Sequence, residues 1–270
     1  MTDAPPDRPP FDRPPFRRPL ADRPRLIAVA SGKGGVGKTW FAITLAQALS
    51  RFGQRVLLFD GDLGLANVDV QLGMTPTHDL GAVLSGRVRL GKAVARHEGG
   101  GFDVLAGRSG SGALSALDPA ALDSTLAALR TEAKAYDIVL LDLGAGVERA
   151  VRRMAACADI LLVLATDEPT SLTDAYAVLK LFYLDRTDGD ARLVINQAAT
   201  RMAGERTQAT LLRACASFLR REPGLAGIIR RDDRVRDAIR RQTPLLTRHP
   251  NCPAAMDVEA VAGTLLPVMA

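Results

Sequence analysis

Ser31-Gly32-Lys33-Gly34-Gly35-Val36-Gly37-Lys38-Thr39 fits the pattern G-x-x-x-x-G-K-[ST], with Gly32, Gly37, Lys38 and Thr39 in register. The apolar run 26–30 leads into it as a buried strand, and an amphipathic helix carrying Leu45, Leu49 and Phe52 follows. Glycines at Gly32, Gly34, Gly35 and Gly37 let backbone N–H groups, including that of Val36, curl around a polyphosphate. The helix N-terminus adds the positive end of its dipole. Lys38 then reaches the β- and γ-phosphates and the Thr39 hydroxyl ligates Mg²⁺. Gly32, Gly34 and Gly37 also satisfy G-x-G-x-x-G, and Asp60 lies 23 residues beyond Gly37, as a ribose-binding acid would in a dinucleotide fold. Lys38-Thr39 decides between the two. A dinucleotide turn has no use for a charge and a hydroxyl at the helix mouth, whereas Mg-triphosphate needs both.

Working outward, apolar runs at 26–30, 55–60, 102–106, 137–142, 159–165, 192–196 and 225–229 read as strands. Helical patterns fall at 38–51, 119–135, 147–156, 170–184, 204–220, 232–242 and 256–266, with 97–101 and 107–112 as connections. Near-continuous apolarity in the strands means that both sheet faces are covered. The fold class is therefore α/β: a doubly wound, mostly parallel sheet flanked by helices, with its site at the carboxyl ends of the strands. Two such ends carry carboxylates. Asp60-Gly61-Asp62 follows the second strand and is expected to face the phosphates. Asp142 opens the glycine-rich run Asp142-Leu143-Gly144-Ala145-Gly146. A carboxylate there can hold Mg²⁺ and the Gly146 backbone can approach the γ-phosphate. A lone strand-terminal Asp would read as a turn former; two beside a phosphate loop read as chemistry.

The 270 residues suit one large domain or two small ones, and a hydrophobic share of 47% is ample for a core. Net charge of +5 comes from scattered arginines and argues only weakly for an anionic partner. Cys157, Cys215 and Cys252 are odd in number and lack a C-x-x-C, which points to reduced core thiols without disulfide or zinc. No apolar run reaches the ~18 residues of a membrane span, and no secretory leader is evident, so a cytoplasmic protein is expected. Residues 1–25 hold eight of the sixteen prolines and a tandem Asp-Arg-Pro-Pro-Phe repeat at 7–16. They read as an extended arm ahead of a domain spanning 26–270, either without a specific role or as a docking peptide carrying Phe11 and Phe16. Arg230, Arg231, Arg234, Arg236, Arg240 and Arg241 crowd 230–241 between Asp232, Asp233 and Asp237. A solvated ion-paired face is the first reading and a nucleic-acid patch the second. The apolar stretch 179–184 reads first as core, then as a partner surface.

With Lys33 present as a second lysine, Lys33-Gly-Gly-Val-Gly-Lys-Thr39 resembles the deviant phosphate loop of the ParA/MinD family of dimeric ATPases. Asp60-Gly-Asp-Leu-Gly-Leu-Ala-Asn67, Asp142 to Gly146, Glu168 to Tyr176, and Gly227 to Asp232 with Val235 to Leu245 extend the likeness, most strongly to its FlhG branch. The resemblance runs from about Leu26 to the C-terminus. It implies a phosphate-loop NTPase of the SIMIBI type that binds ATP and Mg²⁺ and dimerises on ATP. It implies that Lys33 reaches the phosphates of the other subunit, that Asp62 orients the attacking water, and that Thr39, Asp62 and Asp142 serve the metal. It places Asn196 on the adenine, and Arg230 where the family usually has a proline beside the base, so that a guanidinium stacks there instead. Trp40 occupies a phosphate-loop position that is usually small or polar.

Slow, partner-stimulated hydrolysis and a role in flagellar number or placement follow from the resemblance, with division-site selection or DNA partitioning as alternatives. The implied partners are a flagellar SRP-type GTPase (FlhF-like), flagellar switch components or a flagellar transcription regulator. Recruitment to the pole or membrane would come through such a partner, because 256–270 has no Lys or Arg and so no basic amphipathic anchor is expected. Non-specific DNA binding stands behind these.

Overall fold

Leu26, Ala28 and Ala30 of the first strand, β1 (Arg25–Ser31), face one core cluster, while Ile27 and Val29 face another. The period of two places alternate side chains on opposite sheet faces, and helices cover both. The computed structural model describes residues 24–62, 64–107 and 119–266; the proline-rich arm, Leu63, most of the 107–112 connection and 267–270 lie outside them. After β1 come α1 (Lys38–Arg51), β2 (Val56–Gly61), α2 (Val68–Leu72), α3 (Leu80–Leu84), α4 (Leu90–Ala93), β3 (Ala95–His97) and β4 (Phe102–Leu105). Then follow α5 (Pro119–Glu132), β5 (Ile138–Ala145), α6 (Arg149–Cys157), β6 (Ile160–Ala165), α7 (Pro169–Asp185) and β7 (Asp190–Ala198). The described chain closes with α8 (Arg201–Ala214), β8 (Gly224–Arg230), α9 (Asp233–Arg240), α10 (Leu245–Arg248) and α11 (Pro253–Leu265).

The strands form one sheet in the order β3-β4-β2-β5-β1-β6-β7-β8, parallel except for β3. His97, expected in a connection, closes β3 instead, stacking on Phe102 with ring centroids 5.3 Å apart. The neighbouring Arg96 is exposed and pairs with Asp103 at 2.9 Å.

On one face α5 packs through Leu122, Leu126 and Leu129, whose spacing keeps them on a single stripe, alongside α6 and α7. On the other lies α1, buried on most sides by Phe41, Leu45 and Leu49 against α11. Arg51 in the last turn of α1 suits the negative end of the helix dipole and ties it to Glu259 and to the Leu246 carbonyl. Helix α8 begins at Arg201 because the Thr200 hydroxyl caps the Ala203 N–H at 3.1 Å; the reading of 204–220 began late and ran through a π-turn, Cys215–Leu219.

Candidate nucleotide site

Strand β1 ends at Ser31 in the middle of the sheet, and the chain turns through Gly32–Gly37 into α1. Gly35 (φ +79°) and Gly37 (φ +94°) occupy the left-handed region, where an L side chain is strained. Gly32 is required for a different reason: a Cβ there would come within 2.4 Å of the Asp174 backbone on α7. The loop is thus pressed against the first turns of α7 and opens towards the N-terminus of α1.

Lys38 and Thr39 open α1. Asp142 of β5 lies between β1 and β2, level with Val29 on one side and Asp60 on the other. Its carboxylate is 1% exposed, and the Thr39 hydroxyl beside it favours the ionised form. Burial, followed by the repulsion of Asp60, raises the Asp142 pKa to about 8. Two carboxylates on adjacent strands, ~4.8 Å apart at the backbone, cannot both ionise cheaply in a dry site. Asp60 is raised to about 6, mainly by burial, opposed by N–H donors from Val68, Asp62 and Asn67. These hydrogen bonds correct one expectation. The Asp60 carboxylate does not face the phosphates; it turns inward and caps three backbone N–H groups at 3.0–3.2 Å, which fixes the loop bearing Asp62. Asp62 sits on that loop, accepting from the Gly64 and Leu65 N–H groups, and a Cβ at Gly144 would meet it at 3.4 Å. Lys38 is 9% exposed, its pKa lowered by burial against the pull of Asp142 and Asp62.

Lys38, Thr39, Asp62 and Asp142 therefore converge. Among the described residues Asp142 Oδ1 is buried without a hydrogen-bond partner, and the Thr39 hydroxyl lies beside the carboxylate. An orphaned carboxylate oxygen next to a hydroxyl fits a hard divalent cation such as Mg²⁺. The buried acid also sets a pH dependence. A carboxyl whose folded pKa lies above its unfolded value binds the extra proton in the native state, so stability is lost as pH rises through the range up to about 8. Asp142→Asn is expected to raise the melting temperature of nucleotide-free protein by several degrees at pH 8.5 and much less at pH 5. The same variant should lose most of the stabilisation that Mg-nucleotide gives. Thermal unfolding at both pH values, with and without Mg-ADP, checks both parts; a variant equally stabilised at both pH values would contradict the assignment of a buried protonated Asp142.

The remaining expected residues lie around this centre. Lys33 points to α7, where its ammonium meets Glu168 at 2.5 Å and Thr170 at 3.0 Å. The Gly146 N–H donates to Ser31 O at 2.9 Å, holding the segment after β5 against the loop. Asn196, 1% exposed at the end of β7, donates to Val36 O at 2.7 Å and accepts from the Gln197 N–H at 2.9 Å. Gln197 itself is left-handed (φ +57°), an uncommon conformation for a residue with a side chain. Arg230 ends β8 level with Ala198, its guanidinium forked on Asp257 with both hydrogen bonds at 2.9 Å. Trp40 stands in the first turn of α1, its indole over Gly37. Sequence reasoning did not foresee Glu168 and Thr170 as the present partners of Lys33, nor Asp60 as a loop cap. Sequence separations of 135 and 137 residues leave no local signal for the first pair.

A phosphate loop on a central parallel strand, with a buried carboxylate of the adjacent strand β5 beside the helix hydroxyl, defines a nucleoside-triphosphate-hydrolysing protein; β5 does not end at Asp142, as the sequence suggested, but continues to Ala145. The profile of the family described as "CobQ/CobB/MinD/ParA nucleotide binding domain" matches residues 27–245, and the chain belongs to that family. It is 36% identical to the antiactivator FleN of Pseudomonas aeruginosa over 238 residues, 88% of this chain and 85% of FleN. It is 27% identical to the flagellum site-determining protein YlxH of Helicobacter pylori, covering 90% and 82% of the two chains. Among solved structures, the septum site-determining protein MinD of Pyrococcus horikoshii complexed with Mg-ADP superposes with a TM-score of 0.75 at 23% identity, covering 89% and 95%. The chain is thus a nucleotide-binding member of this ATPase family, and the MinD protein of the solved structure holds Mg-ADP. Among the described residues no helix is long and apolar enough to cross a membrane.

Proposed function

We propose that this ATPase controls the number or placement of flagella, switching between a monomer and an ATP-bound dimer that partners read. What carries the reading is the likeness to FleN and YlxH along nearly the whole chain rather than over the phosphate loop alone. In the proposed reaction, water attacks the γ-phosphate in line. Lys38 neutralises charge on the β- and γ-phosphates, and Asp62, on the loop braced by Asp60, orients the water. Thr39, Asp142 and Asp62 serve the metal, which supplies charge neutralisation between the phosphates when bound. Lys33 leaves Glu168 and acts across the dimer as an arginine finger does. Asn196 supports the base side of the site, with Arg230 near it. Phosphate release relaxes the segments after Asp62 and Asp142 and separates the subunits. The partner is a flagellar SRP-type GTPase of the FlhF kind, a switch component or a flagellar transcription regulator. The ATPase domain begins with β1, so Arg25, assigned to the arm from the sequence, belongs to the sheet.

Deleting the gene is expected to change flagellar number or position and to leave the division plane unmoved. Counting flagella and mapping septa in the same cells tests this. Normal flagella with displaced septa would favour division-site selection, in keeping with the MinD-like architecture. Loss of plasmids or chromosomes with both intact would favour DNA partitioning. Arg231, Arg236 and Arg240, exposed and without a carboxylate partner among the described residues, would then be the DNA contacts.

A further inference from the structure

Trp40 is the only tryptophan in the chain. It is the third residue of α1, and helical side chains lean back towards the N-terminus, so its indole folds over the entrance of its own helix. A Cβ placed on Gly37 would lie 2.3 Å from Trp40 Nε1 and 3.0 Å from Cδ1. The pyrrole edge with its N–H, not the six-membered ring, therefore faces the phosphate loop. The same position lies 2.7 Å from the Asn196 amide nitrogen, which donates one hydrogen to Val36 O and among the described residues has no acceptor for the other. Two side-chain donors thus meet above Gly37, next to the open N–H groups of the first helical turn. A ligand without acceptor atoms has no use for such a cluster of donors.

The rest of the ring is anchored. Trp40 packs edge-on against Phe41, with centroids 6.4 Å apart and planes at 88°. It also lines a small cavity with Leu72, Val235, Ile239 and Pro244, in the corner where α1 meets α2, α9 and α10. An indole can only donate, and among the described residues this N–H has no acceptor although the ring is half-buried. An aromatic used only to fill the corner would not need its polar edge turned to the loop.

We propose that the Trp40 indole N–H donates to an oxygen at the phosphate–ribose junction of the bound nucleotide, making Trp40 a direct ligand contact beyond Lys38 and Thr39. The inference rests on nucleotide binding at this loop. It also gives Gly37 a second reason to be glycine, since any side chain there would displace the donor.

The full-length protein supplies its own probe. Saturation with Mg-ADP, followed by calorimetry, should shift the emission of Trp40 and reduce its quenching by acrylamide. Trp40→Phe keeps an aromatic ring in the corner but removes the N–H. Its Mg-ADP affinity should fall about tenfold or more, as expected for one charge-assisted hydrogen bond, with its melting temperature checked to show an intact fold. Calorimetric binding with an unchanged emission and quenching profile would overturn the contact, as would wild-type affinity in Trp40→Phe. Absence of any Mg-ADP binding would overturn the phosphate-loop assignment itself, and the contact with it.

Discussion

Lys38→Ala is expected to abolish measurable ATP binding while leaving the fold intact. The ammonium is 9% exposed and lies among Asp142, Asp62 and the loop N–H groups, so no solvent cation substitutes for it cheaply. Removing one pre-placed charged donor from a dry phosphate site costs about 3 kcal/mol or more, over a hundredfold in affinity. Loss of the cation also pushes Asp142 further towards its protonated form, and a protonated carboxyl is a poor metal ligand, so the metal contribution falls with it. Titration calorimetry with Mg-ATP measures the effect, and the melting temperature without nucleotide serves as control. Wild-type affinity in this variant would remove the basis for the whole site.

Lys33→Ala and Asp62→Ala are expected to fail in opposite ways. Lys33 now bonds Glu168, with side chains 39% and 60% exposed, and an ion pair so open to water is worth about 0–1 kcal/mol. Its release towards a second subunit is therefore cheap, and its loss should hardly touch binding by the monomer. The variant should bind ATP at near wild-type affinity, stay monomeric, and turn over slower by on the order of a thousandfold, as when an arginine finger is removed. Asp62→Ala should instead bind ATP and accumulate as a dimer, because only the orientation of water is lost. Light scattering with ATP separates the two outcomes. A Lys33→Ala protein that dimerises and hydrolyses normally would reduce Lys33 to a loop residue bonded to α7.

Much of this arrangement was readable in the chain because the signals were local. The strands with both faces buried announce themselves as continuous apolar runs, and α1 occupies 38–51 as its capping glycine and apolar stripe suggest. The helices α2, α3, α4 and α10 escaped because four or five residues do not complete two turns and so show no period. Strand β3 escaped for a similar reason, being three residues long with an arginine and a histidine in it. Within the site, Lys38, Thr39 and Asp142 have fixed places in strand–loop–helix geometry, and the structure brings them together. The division of labour between Asp60 and Asp62 could not be read. Which of two aspartates two residues apart turns inward depends on where the chain returns, and here it returns so that Asn67 and Val68 offer their N–H groups to Asp60.

The reversed strand β3 bears on how such a protein avoids sticking to itself at the wrong moment. Without it, β4 would present a four-residue parallel margin with bare peptide groups, an open invitation to strands of other molecules. With it, that margin ends in three residues running the opposite way, one of them the exposed, charged Arg96. Growth of fibres from this flank is thereby discouraged whether nucleotide is present or not. The dimer contact proposed above lies elsewhere, at the loop-bearing end of the sheet, where the nucleotide would bind.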